Sequence, residues 1–186
     1  VHGNALQLDW NDVLPVQRCS FLLGNPPFVG AKFMDDTQRE DTRLVFARIE
    51  NAGLLDFVAA WYVKAMRYLR ISDADAKPAL TRCAFVSTNS ITQGEQVGVL
   101  WAWMLAQKVH IHFAHRTFSW SNEASGKAAV HCVIVGFGYE NQAVKTIYEY
   151  EDIKGLPLAV PVKNINPYLI DAPTVFLPKR REPICH

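Results

Sequence analysis

The sequence has no run of the roughly 20 uninterrupted apolar residues that a membrane-spanning helix needs, and no basic-then-apolar leader opens it. A soluble, cytoplasmic protein with no membrane partner is the expectation. Its cysteines, Cys19, Cys83, Cys132 and Cys185, stand far apart with no C-x-x-C pair, so neither a zinc site nor a disulfide framework is signalled. Charge of one sign is also lacking: 19 Lys and Arg against 18 Asp and Glu leave a formal net charge of +1, which gives no global attraction to phosphate. Lys179-Arg180-Arg181 is a local exception, either a phosphate contact or a solvated run. A glycine-rich loop opening a helix is missing too. Gly136-Phe137-Gly138 is the sole G-x-G, and it follows an apolar run with no helical pattern after it. There are no internal repeats. The first residue is Val1, not Met, and Val1-His2-Gly3-Asn4 carries no helix or strand pattern, as expected of a piece of a longer chain.

What is present is enough for one domain with a real core: 186 residues, 49% of them hydrophobic. Ser20-Phe21-Leu22-Leu23-Gly24 reads as a short buried strand stopped by Asn25-Pro26-Pro27, where prolines remove backbone donors. Beyond Thr42, Leu44, Val45 and Ile49, then Leu55, Val58, Ala59, Tyr62, Met66 and Leu69, recur at helical spacing, with Gly53 breaking the pattern into two helices. Cys83 to Thr88 is a second buried strand, and a helix follows Gly94 with Val97, Leu100, Trp101, Met104 and Leu105 on one face. Val109 to Phe113 and Val130 to Phe137 form two further strands joined by a long polar loop. This alternation predicts an α/β fold with a mostly parallel sheet and an antiparallel final strand. From Glu151 prolines recur through weak periodicity, so residues 1–150 are read as the domain and 151–186 as a linker or the start of another region.

Asn25-Pro26-Pro27-Phe28 at a strand end matches the N-P-P-[FY] signature of methyltransferases that act on planar amino or amide nitrogens. Further blocks share the likeness: Gly3-Asn4-Ala5-Leu6 with Asp9-Trp10, residues 24–30, 86–94, 114–118 with Trp120, and 122–137. Together they resemble the MmeI-like DNA methyltransferases. Asn164-Ile165-Asn166-Pro167-Tyr168-Leu169 resembles that family's approach to its target-recognition part. The resemblance implies the catalytic half of a Rossmann-like, S-adenosylmethionine-dependent methyltransferase sheet. It implies double-stranded DNA as partner, and a parent polypeptide with an upstream cofactor-binding half and a downstream target-recognition domain. The main cofactor loop is then missing from these residues, and methyl transfer by this piece alone is not expected.

The chemistry explains the motif. An exocyclic amine conjugated to a purine ring is a poor nucleophile, because its lone pair lies in the ring system. The resemblance implies that the Asn25 side-chain oxygen and the Pro26 carbonyl accept the two amino hydrogens and favour a tetrahedral nitrogen. Pro26 and Pro27 hold the carbonyls rigid without a competing donor, and Phe28 stacks on a base rotated out of the duplex. The plain alternative is that Pro-Pro only ends a strand. Asp9 and Trp10 are implied as the edge of the cofactor site, the carboxylate accepting from the adenine and the ring packing on it; the alternative is a surface Asp beside a core Trp. Phe118 or Trp120 would form a second aromatic wall, with Asn122 and Lys127 as polar contacts, unless the rings only cap the core. Asn89, with Ser90, ends the second strand at the same presumed edge as Asn25, where open α/β sheets place ligands, although both residues also suit a turn. Lys32, close after the motif, is a candidate phosphate contact.

His110, His112 and His115 tempt a metal reading, with His110 and His112 on one face of a strand. His115 is expected on the other face, no carboxylate or thiol completes a shell, and the chemistry has no task for a metal, so none is assigned. Arg39, Arg43 and Arg48 are read as solvated. Three functions stay open on the residues: a DNA adenine methyltransferase segment in a restriction-modification system, a ribosomal RNA or protein-glutamine methyltransferase with the same motif, and a non-catalytic nucleic-acid-binding remnant.

Overall fold

The computed structural model describes residues 2–70, 80–120 and 130–176. After a one-turn helix α1 (Trp10–Val13), the chain enters strand β1 (Phe21–Gly24). Helix α2 (Asp36–Val45) starts at a capping box in which Asp35 accepts from the Gln38 amide and Gln38 accepts from the Asp35 amide. Helix α3 (Ala59–Leu69) buries nearly every apolar position it carries and leads to β2 (Arg82–Thr88). A helical stretch follows: α4 (Gly94–Gln96), a π-helical turn (Val97–Trp101) and α5 (Ala102–Ala106). Val97, Leu100, Trp101 and Met104, spaced along one helical face, are all buried. The chain ends its described part with β3 (His110–Trp120), β4 (Val130–Gly138), β5 (Lys145–Glu149) and β6 (Leu158–Val162).

These strands form one six-stranded sheet in the order β1-β2-β4-β3-β5-β6. The expected mostly parallel sheet is not what forms. β1–β2 and β3–β5 pair parallel, whereas β2–β4, β3–β4 and β5–β6 pair antiparallel, so the sheet is mixed. The physical reason is the hairpin: β4 turns back from β3 and inserts between β3 and β2, which makes two of its neighbours antiparallel at once. Within residues 151–186, read as a linker or the start of another region, Leu158–Val162 supply the edge strand β6.

One face of the sheet carries the core. Cys83, Phe85 and Ser87 of β2 lie in register with Phe137, Val135 and Val133 of β4, and all are buried. Tyr62 of α3 stacks on Phe137 at 5.3 Å and meets Phe85 and Trp101 edge-on at 5.2 and 5.8 Å. The Trp101 indole N–H is satisfied by the Ile91 carbonyl at 2.9 Å. The other face is open at its β1 edge. β1 was expected to be buried, but Phe21 and Leu23 are 65% and 72% exposed, because none of the described helices packs over that side of the strand.

β3 and β4 also explain the histidines and one glycine. A bulge between Ile111 and Phe113 makes His112 an extra residue against β4, which breaks the simple alternation expected for the three histidines. His112 is buried with Nε2 2.7 Å from the Glu140 carbonyl, and His115 places Nδ1 2.8 Å from the Tyr150 hydroxyl. Gly136, opposite Phe113, has no room for a side chain: a Cβ there would fall inside the Phe113 ring.

Candidate active site

The parallel pair β1 and β2 delivers two loops to one edge of the sheet: Asn25 onward after Gly24, and the 3₁₀ turn Asn89–Thr92 after Thr88. Gly24 is small because the strand end crosses Phe85; a Cβ would sit 3.0 Å from that ring. Within the motif Pro26 is buried, Asn25 and Pro27 are exposed, and Phe28 is half-buried with part of its ring against the core. Phe28 is therefore neither sealed in the core nor standing free. The Asn25 side chain has no hydrogen-bond partner among the described residues, which leaves its oxygen and amide open to a ligand.

The far side of this loop is anchored by the approach to α3. The Phe57 amide donates to the Val29 carbonyl at 2.9 Å, and the Ala31 amide donates to Asp56 Oδ1 at 2.8 Å. The other carboxylate oxygen of Asp56 accepts from the Ser90 hydroxyl at 2.6 Å, and Ser90 is 2.8 Å from the Thr88 hydroxyl. Asn89 accepts from the Thr92 hydroxyl through its backbone carbonyl at 2.9 Å, a turn-forming contact. Sequence reasoning had named Asn89 and Ser90 at this edge but missed Asp56. Its signal was present as a lone acidic residue between Leu55 and Phe57, just ahead of an apolar helix.

The remaining candidates divide. Lys32 is exposed on the 3₁₀ turn Ala31–Phe33, beside the motif. Phe118 is half-buried and lies in register with Cys132, which in turn pairs with Thr88, so it reaches the row of the sheet where β2 ends. Its ring already stacks on Tyr150 at 5.5 Å. Tyr148 stacks on His115 at 4.2 Å beside it, giving an aromatic group that sequence reasoning did not assemble. Burial lowers the His115 pKa and raises that of Tyr150. β2 and β4 lie between β1 and β3, so the backbones carrying Phe28 and Phe118 start roughly 14 Å apart. The backbone of Trp120 pairs with Val130 at the tip of the described hairpin, while Asn122 and Lys127 lie outside the described residues, as do Lys179 to Arg181.

Asp9 and Trp10 are not brought to this edge. Asp9 caps α1 by accepting from the Asn11 amide at 2.9 Å, and the Trp10 indole donates to the Ala5 carbonyl at 2.8 Å while meeting Tyr68 edge-on. They share an open cleft with Lys64, Arg67, Tyr68 and Arg70, on the C-terminal half of α3 and just beyond it. Burial lowers the Lys64 pKa, against the opposing pull of Asp9, and burial with nearby Arg48 lowers that of Arg67. Asp56, which holds the motif loop, precedes the N-terminus of the same helix. Its eleven residues span roughly 16 Å, so the two places lie toward opposite ends of it. The Asp9 cleft is polar and is lined by the cations Lys64, Arg67 and Arg70. Among the described residues no group of three His, Cys, Asp or Glu is placed to hold a metal, and no helix is long and apolar enough to cross a membrane.

Comparison with known proteins bears on this arrangement. The family model described as "MmeI, DNA-methyltransferase domain" matches residues 1–149, a span that includes both loops at the sheet edge and the aromatic hairpin. The chain belongs to the MmeI DNA-methyltransferase family. A solved structure of the type IIL restriction-modification enzyme MmeI in complex with DNA is 55% identical and superposes with a TM-score of 0.92, covering 100% of this chain and 24% of that one. DNA methyltransferase A of Bacillus subtilis (strain 168) is 36% identical over 184 residues, covering 98% of this chain and 20% of the relative. This methyltransferase-family chain thus spans about a fifth to a quarter of the length of the relatives it matches. In the family setting, the six-stranded mixed sheet is a methyltransferase-type α/β sheet, and the N-P-P-F loop leaves it where a parallel strand ends.

Proposed function

We propose that this chain is the catalytic-side part of a DNA methyltransferase that methylates the N6 amino group of an adenine rotated out of double-stranded DNA, within a restriction-modification enzyme. The observation that carries the proposal is Asn25: its side chain is exposed, unpartnered among the described residues, and fixed between a strand end and two prolines. The Asn25 side-chain oxygen and the Pro26 carbonyl accept the two hydrogens of the amine. That draws the nitrogen lone pair out of the ring plane and aims it, while the amine's surplus proton leaves to water after transfer. The exposed part of Phe28 offers a face for the extruded base, Lys32 offers a cation to the DNA backbone, and Phe118 or Trp120 supplies the opposing wall. S-adenosylmethionine, when bound, supplies the electrophilic methyl. Asp9 and Trp10 contribute at most an outer edge to its binding, the rest coming from the remainder of a longer polypeptide.

The test is Asn25→Ala in the full-length enzyme, read as methyl incorporation into DNA. Loss of one preorganised hydrogen-bonding group lowers turnover by on the order of 100-fold to 1,000-fold, with an unchanged circular dichroism spectrum. Turnover near that of the parent in a folded variant removes Asn25 from the role.

A further inference from the structure

Two loops that leave the same sheet edge need a fixed spacing if they are to shape one site, and they come from strands joined only through their own ladder. The link between their tips comes from a third element. Asp56 belongs to neither loop: it precedes α3, where its carbonyl accepts from the Ala59 amide at 3.0 Å. Its Oδ1 takes the Ala31 amide of the N-P-P-F loop, and its Oδ2 takes the Ser90 hydroxyl of the turn after β2. Because the Ser90 proton is committed to Asp56, Thr88 must be the donor in its pair with Ser90. The result is a directed chain, Thr88 to Ser90 to Asp56, closed from the other side by Ala31. The backbone of the same residue is held as well, its amide donating to the Gln96 side-chain oxygen at 3.1 Å on α4, while the adjacent Phe57 amide holds Val29.

We propose that Asp56 is the positioning residue of this site: it acts through Ala31 and Ser90 to hold the N-P-P-F loop at a set distance from the Asn89–Thr92 turn. The inference rests on the function proposed above. Asp56 touches neither the amine nor its acceptors, so its effect is on the geometry of transfer. The role depends on hydrogen-bond direction and does not require a negative charge. An Asn at position 56 keeps an oxygen for the Ala31 amide and turns its NH₂ to Ser90, whose hydroxyl then reverses toward Thr88.

The experiment compares Asp56→Ala, Asp56→Asn, Ser90→Ala and Asn25→Ala in the full-length enzyme. The readouts are single-turnover methyl transfer at saturating S-adenosylmethionine, KM for DNA, and 2-aminopurine fluorescence at the target base. Misplacing a reacting group by about an ångström costs on the order of 100-fold, so Asp56→Ala is expected to lower transfer by about that factor, with KM and base extrusion near the parental values. Asp56→Asn restores transfer to within about threefold of the parent, and Ser90→Ala, which removes one arm, falls about tenfold. If Asp56→Ala does not fold, the other two variants decide. Parental transfer in Ser90→Ala, or an Asp56→Asn variant as impaired as Asp56→Ala, overturns the positioning role. If Asn25→Ala is inactive while Asp56→Ala and Ser90→Ala keep parental rates, this inference fails alone; if Asn25→Ala is also fully active, the proposed function fails with it.

Discussion

The Tyr62 hydroxyl lies 2.8 Å from the Ser87 hydroxyl in the core, where both side chains are fully buried. They join α3 to the middle of β2 on the covered face of the sheet, and burial pushes the Tyr62 pKa up. Replacing Tyr62 with Phe keeps the ring on Phe137 but leaves the Ser87 hydroxyl buried without this partner, at a cost of about 1 to 3 kcal/mol. Denaturant unfolding of the two proteins should show a lower midpoint with an unchanged slope. Equal midpoints would show that Ser87 finds another partner at no cost.

A pH dependence follows from the buried ring of His112. Its pKa is lowered, chiefly by burial, and the hydrogen bond with the Glu140 carbonyl opposes that shift. His115 is lowered by burial as well, and His110 by burial and Lys145. A depressed folded-state pKa means that the unfolded chain binds protons first as pH falls. The stability these groups contribute is thus fully present above the ordinary histidine pKa of about 6.5 and is lost as pH falls through the lower folded-state values. Thermal unfolding at pH 7.5 and 5.5 should show a drop that shrinks in His115→Phe, which keeps an aromatic face for Tyr148 but cannot titrate. An undiminished drop would take His115 out of the acid response.

Phe28 offers a test of base capture. In the full-length enzyme Phe28→Tyr should retain methylation, since it preserves the aromatic face. Phe28→Ala should weaken capture of the extruded adenine by about 1 to 3 kcal/mol, the usual worth of a base–aromatic stack. The 2-aminopurine signal at the target position reports the difference. An alanine variant that extrudes and methylates like the parent would reduce Phe28 to a loop-packing residue, a role its half-buried position also allows.

The legible and illegible parts of this chain separate by range. Asn25-Pro26-Pro27-Phe28 could be placed at a strand end because two prolines after an apolar run stop a strand through their own covalent structure, and β1 does end at Gly24. The helical stretches around Tyr62 and Trp101 were visible in their periodicity for the same local reason. Strand direction was visible only for the β3–β4 pair, expected as an antiparallel finish and observed so. Elsewhere an apolar strand reads alike whether its neighbour runs parallel or antiparallel, and the placement of β4 beside β2, with the antiparallel β5–β6 pair, made the sheet mixed. Exposure of Phe21 and Leu23 was hidden likewise, since an apolar run shows only that a surface favours burial and not which element covers it.

By itself, then, the sequence determined where the motif sits and that the stretches around Tyr62 and Trp101 wind into helices. Each of these is written in neighbouring residues and their spacing. Tertiary structure alone decided that Asp56 would tie the motif loop to Ser90, that His112 would be squeezed out as a bulge, and that Asp9 would lie toward the far end of α3 from Asn25. Asp56 reaches partners 25 and 34 residues away, and no local pattern encodes such a pairing. A donor and an acceptor so far apart in the chain meet only after the sheet order and helix packing have been settled by burial.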